Sequence, residues 1–264
     1  MRYLRHKIDT VWPLFLILAV WEGLASLGLL NSRVLPPPSV LILSAIELAR
    51  SGVLLENSLG SLERVSAGFL VASFLGVGAG LVLGAIPALA RRIVPLFDLL
   101  RPIPPIAWIP IAILWFGLGN SSAVFIVAIG AFFSIFLNTY SGIRSVSLAH
   151  VKAAQCLGAG PLLIMTDVLL PAAMPQILTG LRVGLGVAWI SVIAAEMIGA
   201  QEGLGYAIQL NRIMLETEAV VVNMIVIGMI GWAMNAMVGS LEQSLTGWNQ
   251  GTLAAGQDPH GGRG

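Results

Sequence analysis

The stretch 177–199 reads ILTGLRVGLGVAWISVIAAEMIG, and its only ionisable residues are Arg182 and Glu196. A helix needs about 20 predominantly apolar residues to cross the hydrocarbon core of a bilayer. The stretch therefore predicts a membrane-spanning helix. Five further stretches meet or approach the same criterion, so the sequence predicts an all-α integral membrane protein with six transmembrane helices, the other five being 11–30, 67–90, 103–118, 123–141 and 219–240.

The composition agrees with this fold class. Hydrophobic residues make up 57% of the chain and charged residues 10%, whereas soluble domains carry about 25% charged residues. Such a chain could not cover its own surface in water, which excludes a soluble enzyme, a nucleic-acid binder and a disordered protein. The single cysteine, Cys156, excludes an intrachain disulfide and a cysteine-cluster metal site.

Basic residues set the predicted orientation. Arg2, Arg5 and Lys7 precede the first span, and basic residues are enriched on the cytoplasmic side of membrane proteins. With six spans, both termini are expected in the cytoplasm. No small-residue cleavage site follows the stretch 11–30, so we expect this span to be retained.

The long connection 142–176 falls on the predicted cytoplasmic side. It predicts a short helix over 146–157 that ends at Gly158, a residue suited to a left-handed C-terminal cap. A second helical stretch over 161–170 is expected to stop at Pro171. Both stretches are largely apolar although they lie outside the spans. Either a partner protein covers them, or the loop lies on the membrane or on its own spans.

This connection resembles the EAA loop of the permeases of bacterial ABC importers. The family pattern is Glu-Ala-Ala, three residues, Gly, nine residues, Ile, one residue, Leu-Pro. All of its spacings recur here, with Lys152 in place of the glutamate and Val168 in place of the isoleucine; the other matching residues are Ala153, Ala154, Gly158, Leu170 and Pro171. The lysine reverses the charge at the contact that the family makes with its ATPase.

The resemblance extends from about residue 55 to residue 248. The segments 61–69, 101–110 and 194–199 are similar to the branch that handles nitrate, taurine, aliphatic sulfonates or bicarbonate, and 211–222 and 241–248 favour the sulfonate and taurine permeases. It implies a type I importer fold in three parts: an N-terminal span with an interfacial linker (1–54), a transmembrane domain (55–245) with its coupling loop at 143–176, and a flexible tail (246–264).

The resemblance also implies partners. Two permease copies would form the pathway in a bacterial inner membrane, two ATPase subunits would receive the coupling loops, and a periplasmic binding protein would deliver the substrate. A Walker A loop needs a lysine after a glycine-rich turn, because that lysine holds the nucleotide phosphates. The only lysines, Lys7 and Lys152, lie in no such sequence. We therefore expect ATP and Mg²⁺ on the partner ATPase and no cofactor on this chain.

The candidate pathway residues are Arg101, Pro104, Pro105, Trp108 and Glu196. Prolines leave helix carbonyls without partners, which a membrane tolerates only in a protein interior or beside a wet cavity. Ionisable residues inside spans are functional candidates because they are costly there. Local alternatives stand beside this interpretation: Asp98 and Arg101 have the spacing of an ion pair on one helix, and the prolines could serve packing alone.

Two further patterns predict structure. Gly76, Gly80 and Gly84 recur every four residues, as do Gly180 and Gly184, and such faces let membrane helices approach closely. Ser39 is expected to cap a helix that follows three prolines.

The alternative function is a stand-alone ion-coupled secondary transporter. It would be favoured by several acidic residues or histidines inside the spans. Only Glu22 and Glu196 qualify, and no histidine does.

Overall fold

A computed structural model of the chain describes residues 2–32 and 34–245. All regular secondary structure in this part is helical, as predicted. The predicted tail, 246–264, lies outside the described residues. The helices are α1 (Arg2–Ser26), α2 (Pro38–Arg50), α3 (Val53–Ala85), α4 (Pro87–Leu100), α5 (Ile109–Phe116), α6 (Asn120–Ser145), α7 (Leu148–Cys156), α8 (Pro161–Ile164), α9 (Leu170–Gly199), α10 (Leu204–Ile213) and α11 (Thr217–Leu245).

Four helical stretches of the described chain are long and apolar enough to cross a membrane: Val53–Ala85, Asn120–Ser145, Pro161–Gly199 and Thr217–Ser240. A fifth is obtained if a bent pair of helices counts as one span. The apolar part of α1 that was measured, Phe15–Ser26, is shorter than a span. The count of six therefore stays a prediction, while the all-helical membrane fold is confirmed.

The second and third predicted spans differ from the structure. α3 begins and ends earlier than the predicted span 67–90, because Pro87 starts a new helix, α4. The predicted span 103–118 is wrong as a single helix: a 3₁₀ turn, Pro105–Trp108, leads into the short α5. α4 and the segment Pro105–Phe116 meet at 88°. Prolines that cannot donate a backbone hydrogen bond interrupt the helical ladder here.

The described residues form two compact units. The first contains the described residues up to Ser61 together with Gln201–Met229. In this unit the carboxylate of Glu22 accepts hydrogen bonds from the backbone N–H of Ser39 at 3.0 Å and from its hydroxyl at 2.8 Å. Ser39 is therefore not the cap of α2, which follows Pro37. A carboxylate from α1 holds the first turn of α2 instead, where negative charge is favourable.

The same unit satisfies the start of α10 with side chains of α3. The backbone N–H of Gly203 donates to Asn57 Oδ1 at 2.8 Å, and that of Leu204 donates to Ser61 Oγ at 2.9 Å. The first N–H groups of a helix have no partner within the helix. Two buried polar residues of α3 supply those partners, which explains why they lie at the start of an apolar helix.

The second unit, Leu62–Ala200 with the described residues from Ile230 onward, is built around α6. Glycines of α3 let its backbone lie directly against α6. A Cβ at Gly80 would lie 2.5 Å from the Thr139 Cβ, and one at Gly84 would lie 2.6 Å from the Ile143 Cβ. Gly68 and Gly76 make the same close approach to Val127 and Ile135. The predicted glycine face of α3 is confirmed.

α9 packs on another part of α6 by the same means. A Cβ at Gly184 would lie 2.6 Å from Ile135 Cγ1, and one at Gly180 would lie 2.7 Å from the Asn138 Cβ. Ile135 is fully buried and meets glycines of both neighbouring helices. At one end of this pair of helices, the N–H of Gly119 donates to the carbonyl of Gly199 at 3.0 Å.

A buried ion pair joins α3 to α9. Arg64 Nη1 lies 2.9 Å from Glu196 Oε1, and the two residues are 2% and 1% exposed. Arg64 Nε also donates to Asn120 Oδ1, at the start of α6, at 2.7 Å. A buried charge is tolerated when an opposite charge and hydrogen bonds replace water. One arginine thus fixes the ends of three helices.

Adding one methyl group at Gly80 should destabilise the protein. Gly80→Ala places a Cβ against Thr139 of α6, and such overpacking costs about 1–3 kcal/mol. Gly78→Ala is the matched control, because a Cβ there meets nothing within 4 Å. Thermal unfolding of both variants in detergent measures the difference. Equal midpoints for the two variants would contradict the close packing of α3 on α6.

Removing the cation of the buried pair should cost more. Arg64→Met leaves Glu196 buried without its partner, and breaking such a pair costs about 3–5 kcal/mol. The double variant Arg64→Met/Glu196→Leu should regain part of that loss, since it leaves no buried charge. Arg92→Met, at an exposed arginine of α4, is the control. Thermal unfolding midpoints in detergent test the order, and a single variant as stable as the control would refute it.

Candidate functional site

A cavity of about 300 Å³ lies beside the 3₁₀ turn in the second unit. Its walls come from the end of α4 and the following segment, from one face of α6 and from the middle of α9. The lining residues are Arg101, Ile103, Pro105, Trp108, Ile129, Gly130, Phe133, Ser134, Leu137, Asn138, Val183 and Val187. The lining is mainly apolar, with one charged and a few polar side chains.

The prolines position this wall. Pro104 is extended, with φ −60° and ψ 143°, and the 3₁₀ turn begins directly after it. Pro105 packs against α6, because a Cβ at Gly130 would lie 3.1 Å from the Pro105 Cγ. Phe97 of α4 packs edge-on against Phe136 of α6, with ring centroids 4.8 Å apart. The broken segment is therefore held against α6 on both sides of the bend.

Three of the five predicted pathway residues, Arg101, Pro105 and Trp108, line this cavity. Pro104 precedes the turn but is outside the lining. Glu196 is also outside it, because its carboxylate is buried against Arg64. Sequence reasoning placed Arg64 in an outer loop and missed its role. The signal was present, since Arg64 follows the polar residues Asn57 and Ser61 on a helix that continues into a span.

Arg101 differs from the other arginines of this unit that lie on apolar helices. Arg64 contacts Glu196, and Arg182 lies 3.4 Å from Glu242 Oε2 and donates to Asn235 Oδ1 at 3.0 Å. The ion pair expected between Asp98 and Arg101 is not formed in the described part of the chain. α4 ends at Leu100, so Arg101 leaves the helical register that the expected pair requires.

Two polar residues of the cavity were not singled out from the sequence. Ser134 and Asn138 lie one turn apart on α6 and both line the cavity. The Asn138 amide donates to the carbonyl of Ser134 at 2.8 Å, which leaves its other N–H and its oxygen available. Their spacing within an apolar helix was the available signal. Among the described residues, no group of three histidine, cysteine, aspartate or glutamate residues could hold a metal ion.

The loop between α6 and α9 has a defined local geometry. Ser147 precedes α7, and its hydroxyl accepts a hydrogen bond from the N–H of Ala149 at 3.3 Å. At the other end, Gly158 has φ +82°, its N–H donates to Gln155 O, and the N–H of Ala159 donates to Ala154 O, both at 3.0 Å. These bonds form a Schellman cap, which depends on a left-handed residue. The predicted helix and its glycine exit are confirmed.

The second part of the loop does not end where it was expected to end. α8 continues through a π-helical turn, Met165–Leu169, directly into α9, and Pro171 lies inside the helix. The N–H of Leu170 donates to Met165 O, five residues back. Such a bulge changes the hydrogen-bond register, and Pro171 follows it in the first turn of α9. Val168 and Leu170 are half-buried at this bulge.

The surface of this loop is apolar and uncovered in the isolated chain. α7 has no buried residue. Leu148, Leu157 and Leu162 are 72%, 89% and 78% exposed. Lys152 and Ala153 are exposed on α7, Ala154 is half-buried, and Cys156 is an exposed free thiol.

Comparison with known proteins agrees with both features. The family described as "Binding-protein-dependent transport system inner membrane component" matches residues 68–247. The taurine transport system permease protein TauC of Escherichia coli is 32% identical over 93% of this chain and 91% of its own length. SsuC of Bacillus subtilis, named for aliphatic sulfonates transport, is 35% identical over 88% of this chain and 84% of its own length.

The fold is also found in a solved structure. A chain of the inward-facing MetNI methionine ABC transporter superposes with a TM-score of 0.67 and 19% sequence identity, covering 75% of this chain and 98% of that chain. The fold is thus that of type I ABC importer permeases. The chain belongs to the binding-protein-dependent transport system inner membrane components, the permeases of ABC importers, in the branch that includes the taurine and sulfonate permeases.

Proposed function

We propose that the chain is the permease subunit of an ATP-driven importer and forms the translocation pathway for a small anionic solute. An aliphatic sulfonate or taurine is favoured over nitrate, bicarbonate or cyanate. The observation that carries the proposal is the exposed helix α7 with its left-handed glycine exit, in a chain of this family. ATP and Mg²⁺ belong to a separate ATPase chain.

The coupling role of the loop rests on its uncovered apolar surface. Exposed leucines outside the predicted spans mark a contact with another protein, because large apolar patches on a protein surface are unfavourable in water. Ala153 and Ala154 keep α7 slender enough to enter a cleft in the ATPase, and Lys152 lies on the same helix. Movement of α7 reaches α9 through the bulge, where Val168, Leu170 and Pro171 are found.

The pathway role rests on the cavity beside the broken segment. Arg101, Pro105 and Trp108 contribute to its wall, and Pro104 sets where the turn begins. Broken helices at membrane depth are found where protein or a wet cavity covers their free carbonyls. Glu196 acts on the pathway indirectly, by holding α9 to α3 through Arg64.

The anionic substrate class is supported by two independent observations. The relatives TauC and SsuC are named for taurine and aliphatic sulfonates, and the cavity carries an arginine without a carboxylate partner in its lining. Two copies of the permease, two ATPase subunits and an extracytoplasmic binding protein would complete the importer. Both termini of the permease would lie in the cytoplasm.

Affinity purification tests the proposal. The tagged chain is solubilised from native membranes with detergent, and ATPase activity is measured in the eluate. We expect an ATPase subunit to co-purify, and the activity to be lost from the eluate of a Lys152→Glu/Gly158→Val double variant. A chain that elutes alone and moves solute into liposomes without ATP would overturn the proposal and favour an ion-coupled carrier.

The backbone at Gly158 gives a sharper prediction. Gly158→Val should uncouple ATP hydrolysis from transport, because a β-branched residue is strained at φ +82° and the exit of α7 must change. Gly158→Asn is the matched control, since asparagine also adds a side chain but accepts the left-handed conformation. Uptake per ATP hydrolysed should fall several-fold for valine and stay near normal for asparagine. Normal coupling in the valine variant would contradict the docking role.

A further inference from the structure

The cavity beside the 3₁₀ turn has a single sign of charge. Arg101 contributes a guanidinium, and none of the described lining residues is an aspartate or a glutamate. The arginines at positions 64 and 182 have carboxylates of the chain as partners. An arginine at a cavity in an apolar protein, without such a partner, is satisfied best by an anion from outside the chain.

Hydrogen-bond donors lie in the same wall. Ser134 offers a hydroxyl, and Asn138 keeps one amide N–H that is not used by its bond to the Ser134 carbonyl. The indole N–H of Trp108 is buried and has no hydrogen-bond partner within the described chain. A buried donor without a partner is costly. A ligand with several acceptor oxygens would use these donors together with the guanidinium.

The rest of the wall is apolar. Aliphatic side chains from three segments line it, namely Ile103, Ile129, Leu137, Val183 and Val187. A bare inorganic anion gains nothing from such a wall. An alkyl chain does gain, because each methylene moved from water to an apolar surface favours binding. The volume of about 300 Å³ leaves room for a short chain beside an oxyanion.

We propose that this cavity is a binding site for an organic oxyanion within the permease itself. The charged end contacts Arg101, Ser134 and Asn138, and the alkyl chain lies along the aliphatic wall. This assignment rests on the proposed function and deepens it: an unsubstituted alkanesulfonate fits better than nitrate, which lacks the chain. It also fits better than taurine, because the taurine ammonium would meet no carboxylate in the lining.

The test measures binding to the permease without its binding protein. The permease, purified with its ATPase partner, is placed in phosphatidylcholine nanodiscs, and equilibrium binding of radiolabelled butanesulfonate is followed. We expect saturable binding, with nitrate and taurine competing about tenfold or more weakly and ethanesulfonate lying between. A tenfold change is the scale expected from one charge-assisted hydrogen bond.

Variants test the named residues. Arg101→Gln should weaken butanesulfonate binding by about tenfold or more, and Ser134→Ala by a smaller factor, since a neutral bond contributes less. Val187→Ser should reduce the preference for butanesulfonate over ethanesulfonate without loss of binding for both. Arg92→Gln is the control, because this arginine is exposed on α4 and outside the cavity lining.

Several results would overturn the assignment. They are absence of butanesulfonate binding, equal competition by nitrate, or an Arg101→Gln variant that binds like the control. Nanodiscs that contain phosphatidylglycerol separate solute from lipid: if this lipid displaces butanesulfonate from the wild type and Arg101→Gln does not bind the lipid, the occupant is a lipid phosphate. Each of these results can occur while ATP-driven uptake persists. Loss of the ATPase partner and ATP-independent uptake would instead refute the proposed function.

Discussion

Close approach of backbones is the constraint on which the second unit depends. Inside a bilayer, apolar side chains gain little by leaving lipid for protein, so helices associate through tight packing and polar contacts. Glycines of α3 and α9 remove the side chains that would hold these helices away from α6, and Ile135 fills the space against both. The cavity wall on α6 is a consequence of this packing, because Gly130 receives Pro105 and Gly180 receives Asn138.

Arginine serves two different purposes in this unit. Arg64 is buried, contacts Glu196 and Asn120, and therefore ties three helices together. Arg101 lies where α4 has ended, and its charge is left to the cavity. The same side chain is structural where a carboxylate meets it. Where none does, it can bind a ligand.

The loop that carries the family resemblance combines a rigid cap with an unusual register. The Schellman cap at Gly158 fixes the direction in which the chain leaves α7. The π-helical turn before Pro171 then joins α8 to α9 without a break. A helix of 39 residues, Pro161–Gly199, therefore connects the exposed loop to the buried pair at Glu196. This continuity gives the docking surface a direct mechanical link to the cavity wall formed by Val183 and Val187.

Composition and local pattern by themselves determined the membrane class, the positions of the regular apolar helices, the glycine faces and the left-handed exit at Gly158. Each of these depends on a short segment: apolar length, a four-residue repeat, or the freedom of glycine at positive φ. Only the tertiary structure decided that the segment after α4 bends by 88°, that Pro171 is accommodated inside a helix, and that Arg64 rather than water neutralises Glu196. It also decided that Ser134 and Asn138 share a cavity with Arg101. These features depend on which residues meet across helices distant in sequence, and that information is absent from any local pattern.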